Sequence, residues 1–167
     1  TKLSILDFVE AKAVWDTNMI KKDFINIHML YNKLSNKFYK QSKNPKQNYS
    51  GDVEIYQKIL NVIGNNLDTL SGLRLLVGYV DKLMKVYLTN DYADKILEEL
   101  NKVNNLFNIL DEELLFIDNK TIEFINEREE LRKQKQFDKT DAMREELKKT
   151  FIFEDENTGF SLIKKLD

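Results

Sequence analysis

The sequence predicts a mainly α protein: a helical bundle followed by a small helix pair and a β-hairpin. Three observations predict it. Through the first two thirds of the chain, apolar residues recur in steps of three and four, the period of a helix with one buried face. The breaks between these stretches are short and polar, so neighbouring helices should run antiparallel. Near the end the pattern changes to Phe151-Ile-Phe-Glu-Asp, a turn ending at Gly159, and Phe160-Ser-Leu-Ile, which reads as two paired strands.

The elements follow in order. Residues 1–14 carry Leu3, Ile5, Leu6, Phe8 and Val9 without a clean period. They read as a short helix or strand, or as a linker or the edge of an upstream domain. Trp15-Asp16-Thr17 is a start signal, and Ile20, Phe24, Ile27, Tyr31, Leu34 and Phe38 then mark the buried stripe of a long helix. Residues 41–50 form a polar loop that holds the only proline, Pro45. Tyr56, Ile59, Leu60 and Ile63 mark a second helix, which Gly64-Asn65-Asn66 should break. Thr69 should cap a third, with Leu73, Leu76, Val77, Val80, Leu83, Met84 and Tyr87 inward. Asn90 should cap a fourth, with Tyr92, Ile96, Leu100, Val103, Phe107 and Leu110 inward.

The tail, residues 119–167, is the most distinctive part. A charged helix runs to a break at Gln136-Phe137, and a second charged helix follows. Asp138 stands where an N-cap belongs, with Asp141 three residues on, a carboxylate variant of the capping box. Arg128, Arg132 and Lys135 share one face of the first tail helix, because their spacings match its turn.

Composition narrows the function. The length of 167 residues suits one domain, or one with a small appendage. Cysteine is absent and there is one histidine, so disulfides, thiolate metal sites and histidine clusters are excluded. No apolar run is long enough to span a membrane, the N-terminus lacks a signal-peptide pattern, and a cytoplasmic protein is the default. A net charge of −2 gives no global pull towards nucleic acid, so such binding must use local patches. Lys33, Lys37, Lys40, Lys43 and Lys46 form one such acid-free basic run. It is either a solvated face or a contact for nucleic-acid phosphates, which asks for charge but no sequence code. His28, beside Phe24 and Ile27, reads as a satisfied helix-edge histidine, since no Asp or Ser is spaced to make it catalytic. Asn65-Asn66-Asp68 reads as a helix break with a cap rather than a metal loop.

The tail resembles the C-terminal end of a bacterial-type cysteinyl-tRNA synthetase. The residues that carry the likeness are Arg128, Arg132, Lys135, Phe137, Asp141, Arg144, Leu147, Phe153, Glu154, Asp155 and Gly159. Thr150 runs straight into Phe151, where that family usually has a glycine. Upstream, Trp15-Asp16, Leu30-Tyr31-Asn32 and the segment from Asn65 to Leu73 are similar to family segments more loosely. The resemblance implies a helical anticodon-binding bundle of the class I synthetase type over residues 15–117. A small anticodon-recognition extension would follow over residues 118–167. It implies that Arg132, Phe137, Asp141 and Asp155 meet the bases of a G-C-A anticodon. Phosphate contacts are expected from Lys37, Lys40, Lys43, Arg128 and Lys135. The expected partners are cysteine tRNA and the catalytic domain of the same synthetase, with no membrane.

The family's His-x-Gly-His and Lys-Met-Ser-Lys signatures are not in this sequence, nor are residues for its zinc site. The expectation is a non-catalytic segment, with ATP and zinc belonging to a catalytic half that lies elsewhere. The alternatives are a helical protein-interaction module that shares a charged helix-turn-helix tail, or the anticodon-binding domain of another class I synthetase.

Overall fold

The computed structural model of the chain describes residues 17–66 and 68–165, without the side chains of residues 17–20, 65 and 66. The expectations for residues 1–14, for Trp15-Asp16 and for the side chain of Ile20 fall outside these. The described chain is mainly helical and ends in a two-stranded antiparallel hairpin. Helices α1 (Thr17–Ser35), α2 (Ile55–Asn66), α3 (Thr69–Leu83) and α4 (Asn90–Phe107) form the bundle. A short helix α5 (Glu112–Leu115) leads to the tail helices α6 (Asn119–Lys133) and α7 (Phe137–Thr150). Strands β1 (Phe151–Glu156) and β2 (Gly159–Lys164) close the chain. None of the described helices is long and apolar enough to cross a membrane.

The bundle core follows the helical period. Ile27, Leu30 and Leu34 of α1 meet Ile59 of α2, Leu73, Leu76 and Val80 of α3, and Ile96, Leu100 and Val103 of α4. Each such side chain contributes about 1.5–3 kcal/mol when fully buried, so this cluster dominates the fold's stability. A second cluster joins Phe38, Ile125, Leu147, Phe151, Phe153, Phe160 and Leu162. Phe38, the last residue of the predicted α1 stripe, therefore belongs to the core of the tail.

The helix boundaries depart from expectation in a regular way. Asp68, not Thr69, caps α3, accepting from the Ser71 amide at 2.9 Å. Thr89, not Asn90, caps α4, accepting from the Tyr92 amide at 3.4 Å. In both places two good capping residues are adjacent, and the one three residues before the free amide wins. Helix α2 includes Gly64 and ends at Asn66, the last residue of the expected break. A helical glycine costs about 1 kcal/mol. A Cβ on Gly72 of α3 would lie 3.2–3.3 Å from Ile59 and Ile63, so α2 and α3 approach closely in the turns before Gly64.

His28 is fully buried and satisfied at both ring nitrogens. Nδ1 donates to the Phe24 carbonyl at 2.8 Å, and Nε2 accepts from the Asp111 amide at 2.8 Å. These two bonds select the neutral tautomer. Burial lowers its pKa from the ordinary 6.5, against the opposing pull of the Phe24 carbonyl and of Asp111. A histidine whose folded pKa is lowered stabilises the fold above its unfolded value. That contribution is lost as pH falls through the lowered value, because the unfolded chain takes the proton first. Thermal melts should therefore show the wild type losing stability as pH falls below the ordinary 6.5. A His28→Gln variant should lose less over the same window, and parallel curves would show that His28 does not carry the effect.

Candidate functional site

The sharpest local feature is the link between α6 and α7. Helix α6 ends in a left-handed turn: Lys135 has φ 59°, its amide donates to the Arg132 carbonyl, and the Gln136 amide donates to the Leu131 carbonyl. This is the Schellman arrangement, which usually places glycine at the left-handed position. Helix α1 ends the same way. Lys37 has φ 58°, its amide donates to Leu34, and the Phe38 amide donates to Lys33. Two of the expected phosphate-binding lysines thus occupy positions where a side chain costs about 1–2 kcal/mol relative to glycine. Both are exposed.

The tight turn also decides where α7 begins. The Gln136 carbonyl already accepts from the Thr140 amide, so Phe137 is the first helical residue. The expectation that Asp138 is the N-cap is therefore corrected. Asp138 lies in the first turn, where its charge favours the helix dipole, and Gln136 caps without a side-chain bond. Asp141 moves inward with it and is not at the third helical position. It is exposed at 61% of its side chain and lies 3.6 Å from Arg144.

Phe137 is left 56% exposed at this corner. Together with Lys135, Gln136, Asp138 and Lys139 it lines an open hollow of ≈ 430 Å³. A large aromatic in water, edged by two lysines, can stack on a planar group while the cations meet an anion beside it.

Arg128 departs most from expectation. It is 1% exposed and cannot meet a phosphate in this arrangement. Its Nε donates to the Thr140 carbonyl at 3.1 Å, Nη1 to Glu129 at 3.0 Å and Nη2 to Asp155 Oδ2 at 2.6 Å. Its guanidinium lies 5.0 Å from the centre of the Phe153 ring. Arg132, one turn on, is partly exposed and donates to the other oxygen of Asp155 at 2.8 Å. Asp155 is thus held between two arginines, one inside and one at the surface. Of the four expected anticodon residues, Arg132 and Asp155 are in direct contact, while Phe137 and Asp141 lie exposed in the first turns of α7, Asp141 paired with Arg144.

The basic run divides. Lys33 is fully buried, so it leaves the expected surface run. Its ammonium bonds Glu156 at 2.5 Å and Thr158 Oγ1 at 3.0 Å, pinning the hairpin tip to α1. Lys37, Lys40, Lys43 and Lys46 are exposed. Main-chain bonds bring this run to the hairpin. The Phe160 amide donates to the Phe38 carbonyl at 3.1 Å, and the Lys40 amide donates to the Thr158 carbonyl at 2.7 Å. The Phe38 and Phe160 rings lie 4.5 Å apart, and Phe160 pairs across the hairpin with Asp155. A continuous set of contacts therefore joins the exposed lysines to the Arg132–Asp155 pair.

A cleft of ≈ 810 Å³ between α1, the end of α3 and the hairpin lies apart from Arg132, Phe137 and Asp155 and shares only Glu156 and Thr158 with the contacts described above. Lys21, Lys22 and Lys85 face Asp81, Glu154 and Glu156 there, and balanced charge gives no preference for an anion. The chain matches no family model, no curated protein and no solved structure. The candidate site therefore stands on geometry and on the residues of the tail. Arg128 and Lys33 are what local sequence reasoning missed. The available signal was position: Lys33 falls three residues after Leu30 on the buried stripe, and Arg128 three after Ile125.

Proposed function

We propose that this chain is a tRNA-binding module whose tail reads unpaired anticodon bases, of the kind a cysteinyl-tRNA synthetase uses to recognise cysteine tRNA. The observation that carries the reading is Phe137: a large aromatic left more than half exposed at a helix corner, at the position where the resemblance puts a base-stacking aromatic. Unpaired bases can splay out, stack on such a ring and offer their edges to nearby side chains. Arg132 supplies planar donors, and Asp141 and Asp155 supply acceptors for base amino groups. Lys37, Lys40, Lys43 and Lys135 supply cationic contacts for the phosphates on either side. The chemistry of cysteine activation would belong to the catalytic domain of the same synthetase.

The placement of Lys37 and Lys135 in left-handed turns supports this reading. A lysine there is costly where glycine is favourable, and a phosphate contact gives the cost a purpose. The test uses opposite signs. Changing both lysines to glycine should raise stability in urea by about 1 kcal/mol per site. The same variant should bind cysteine tRNA more weakly, with its salt dependence flattened by about one unit of log–log slope per lysine. A more stable protein with unchanged tRNA affinity and slope would make these lysines mere surface. A helical protein-interaction module would show neither a tRNA preference nor a steep salt slope.

A further inference from the structure

The two arginines on Asp155 are not equivalent, and the difference has a consequence for recognition. Arg128 is fixed from three sides besides Asp155: the Thr140 carbonyl of α7, the Glu129 carboxylate and the face of Phe153 on β1. Moving it would strip buried donors of their partners, which is costly. Arg132 meets the same carboxylate from the surface, with 35% of its side chain exposed. Exposed ion pairs exchange partners at little cost. Asp155 therefore has one permanent bond, from Oδ2, and one that can be given up, from Oδ1.

We propose that Arg128 is a positioning residue for base recognition: it anchors Asp155 by Oδ2 so that Oδ1 can pass from Arg132 to the amino group of an unpaired base. The inference rests on the reading of the tail as a base-reading surface. In the free protein the Arg132–Asp155 bond satisfies both groups. In the complex that bond opens and releases an acceptor and a set of planar donors together. A carboxylate with a single arginine partner would lose its countercharge at that moment. Asp155 keeps Arg128 throughout, so its charge stays compensated and its plane stays fixed. The ligand class follows from the chemistry. Cytosine, adenine and guanine carry an exocyclic amino donor, while uracil has carbonyl oxygens in its exocyclic positions and only its ring N3–H as a donor, so at the amino position it would face Oδ1 acceptor to acceptor. The pair should therefore reject uracil at the position it meets.

The experiment compares the wild type with Arg128→Gln, Arg128→Lys and Asp155→Asn, each against cysteine tRNA with its natural anticodon and with each anticodon base replaced in turn by uracil. The wild type should lose about tenfold in affinity on replacement at one position. Arg128→Gln and Asp155→Asn should each bring the ratio of affinities for the two tRNAs close to one. Arg128→Lys, which keeps a cation for Oδ2, should retain part of the preference. Should Arg128→Gln fail to fold, the Lys variant carries the test by showing a reduced ratio. A purely structural arginine would weaken both tRNAs equally and leave the ratio intact. If the wild type shows the preference and the Arg128 variants keep it in full, the positioning role is overturned and base reading stands. If the wild type shows no preference at any position, base reading itself fails and takes this role with it.

Discussion

Gly159→Ala is expected to destabilise the protein by about 2–4 kcal/mol, the sum of a strained backbone and an overpacked contact. Gly159 opens β2 with φ 138°, a conformation that side-chain-bearing residues rarely adopt. A Cβ there would run into the Phe38 carbonyl oxygen, the acceptor of the Phe160 amide. The hairpin would have to leave the chain segment after α1, breaking that bond and separating the Phe38 and Phe160 rings. The same movement would disturb Asp155, which pairs across the strands with Phe160. Urea denaturation gives the stability change. A variant melting with the wild type would show that the hairpin does not rest on Phe38.

The second large effect is expected at Lys33. Lys33→Met should cost about 3 kcal/mol, because it leaves Glu156 without its buried countercharge. Glu156 keeps 18% of its side chain exposed and a hydroxyl donor in Ser161, which holds the cost to the lower end for a broken buried pair. Adding Glu156→Leu should restore much of the loss, since an apolar pair of similar volume needs no compensation. A double-mutant cycle in urea measures this coupling. Strictly additive losses would mean that the two side chains do not act as a pair.

These two sites show what sequence alone could reach. The bundle was legible because its packing is local: residues such as Leu73, Leu76, Val80 and Leu83 repeat at the helical period and are all buried. The hairpin was legible from its apolar strands and its turn at Gly159. The buried charges were not, because their partners are far along the chain. Lys33 meets Glu156 across 123 positions, and Arg128 meets Asp155 across 27. A lysine or arginine reads as surface until such a partner is known. The cap of α7 failed for a different reason. Asp138 has the right chemistry, but the left-handed turn at Lys135 puts the cap at Gln136, two residues ahead of it. Of the candidate site, residue types and spacing were readable in the tail. The division of labour between Arg128 and Arg132 needed the third dimension.

The central claim is that the tail reads anticodon bases, and Phe137 offers its most direct test. Phe137→Ala removes an exposed ring that takes no part in either core cluster, so folding should be nearly unaffected. Its affinity for cysteine tRNA should fall by the value of one stacked base, about 1 kcal/mol at the low end of the usual range. Asp141→Ala, also exposed, should lower the ratio of affinities between tRNA with its natural anticodon and tRNA with that anticodon replaced. The measurement is that ratio for the wild type and the two variants, at one salt concentration. A wild type that prefers the natural anticodon, with the preference reduced in Asp141→Ala and overall affinity reduced in Phe137→Ala, is the predicted result. Three proteins binding both tRNAs with the same affinity would contradict the account.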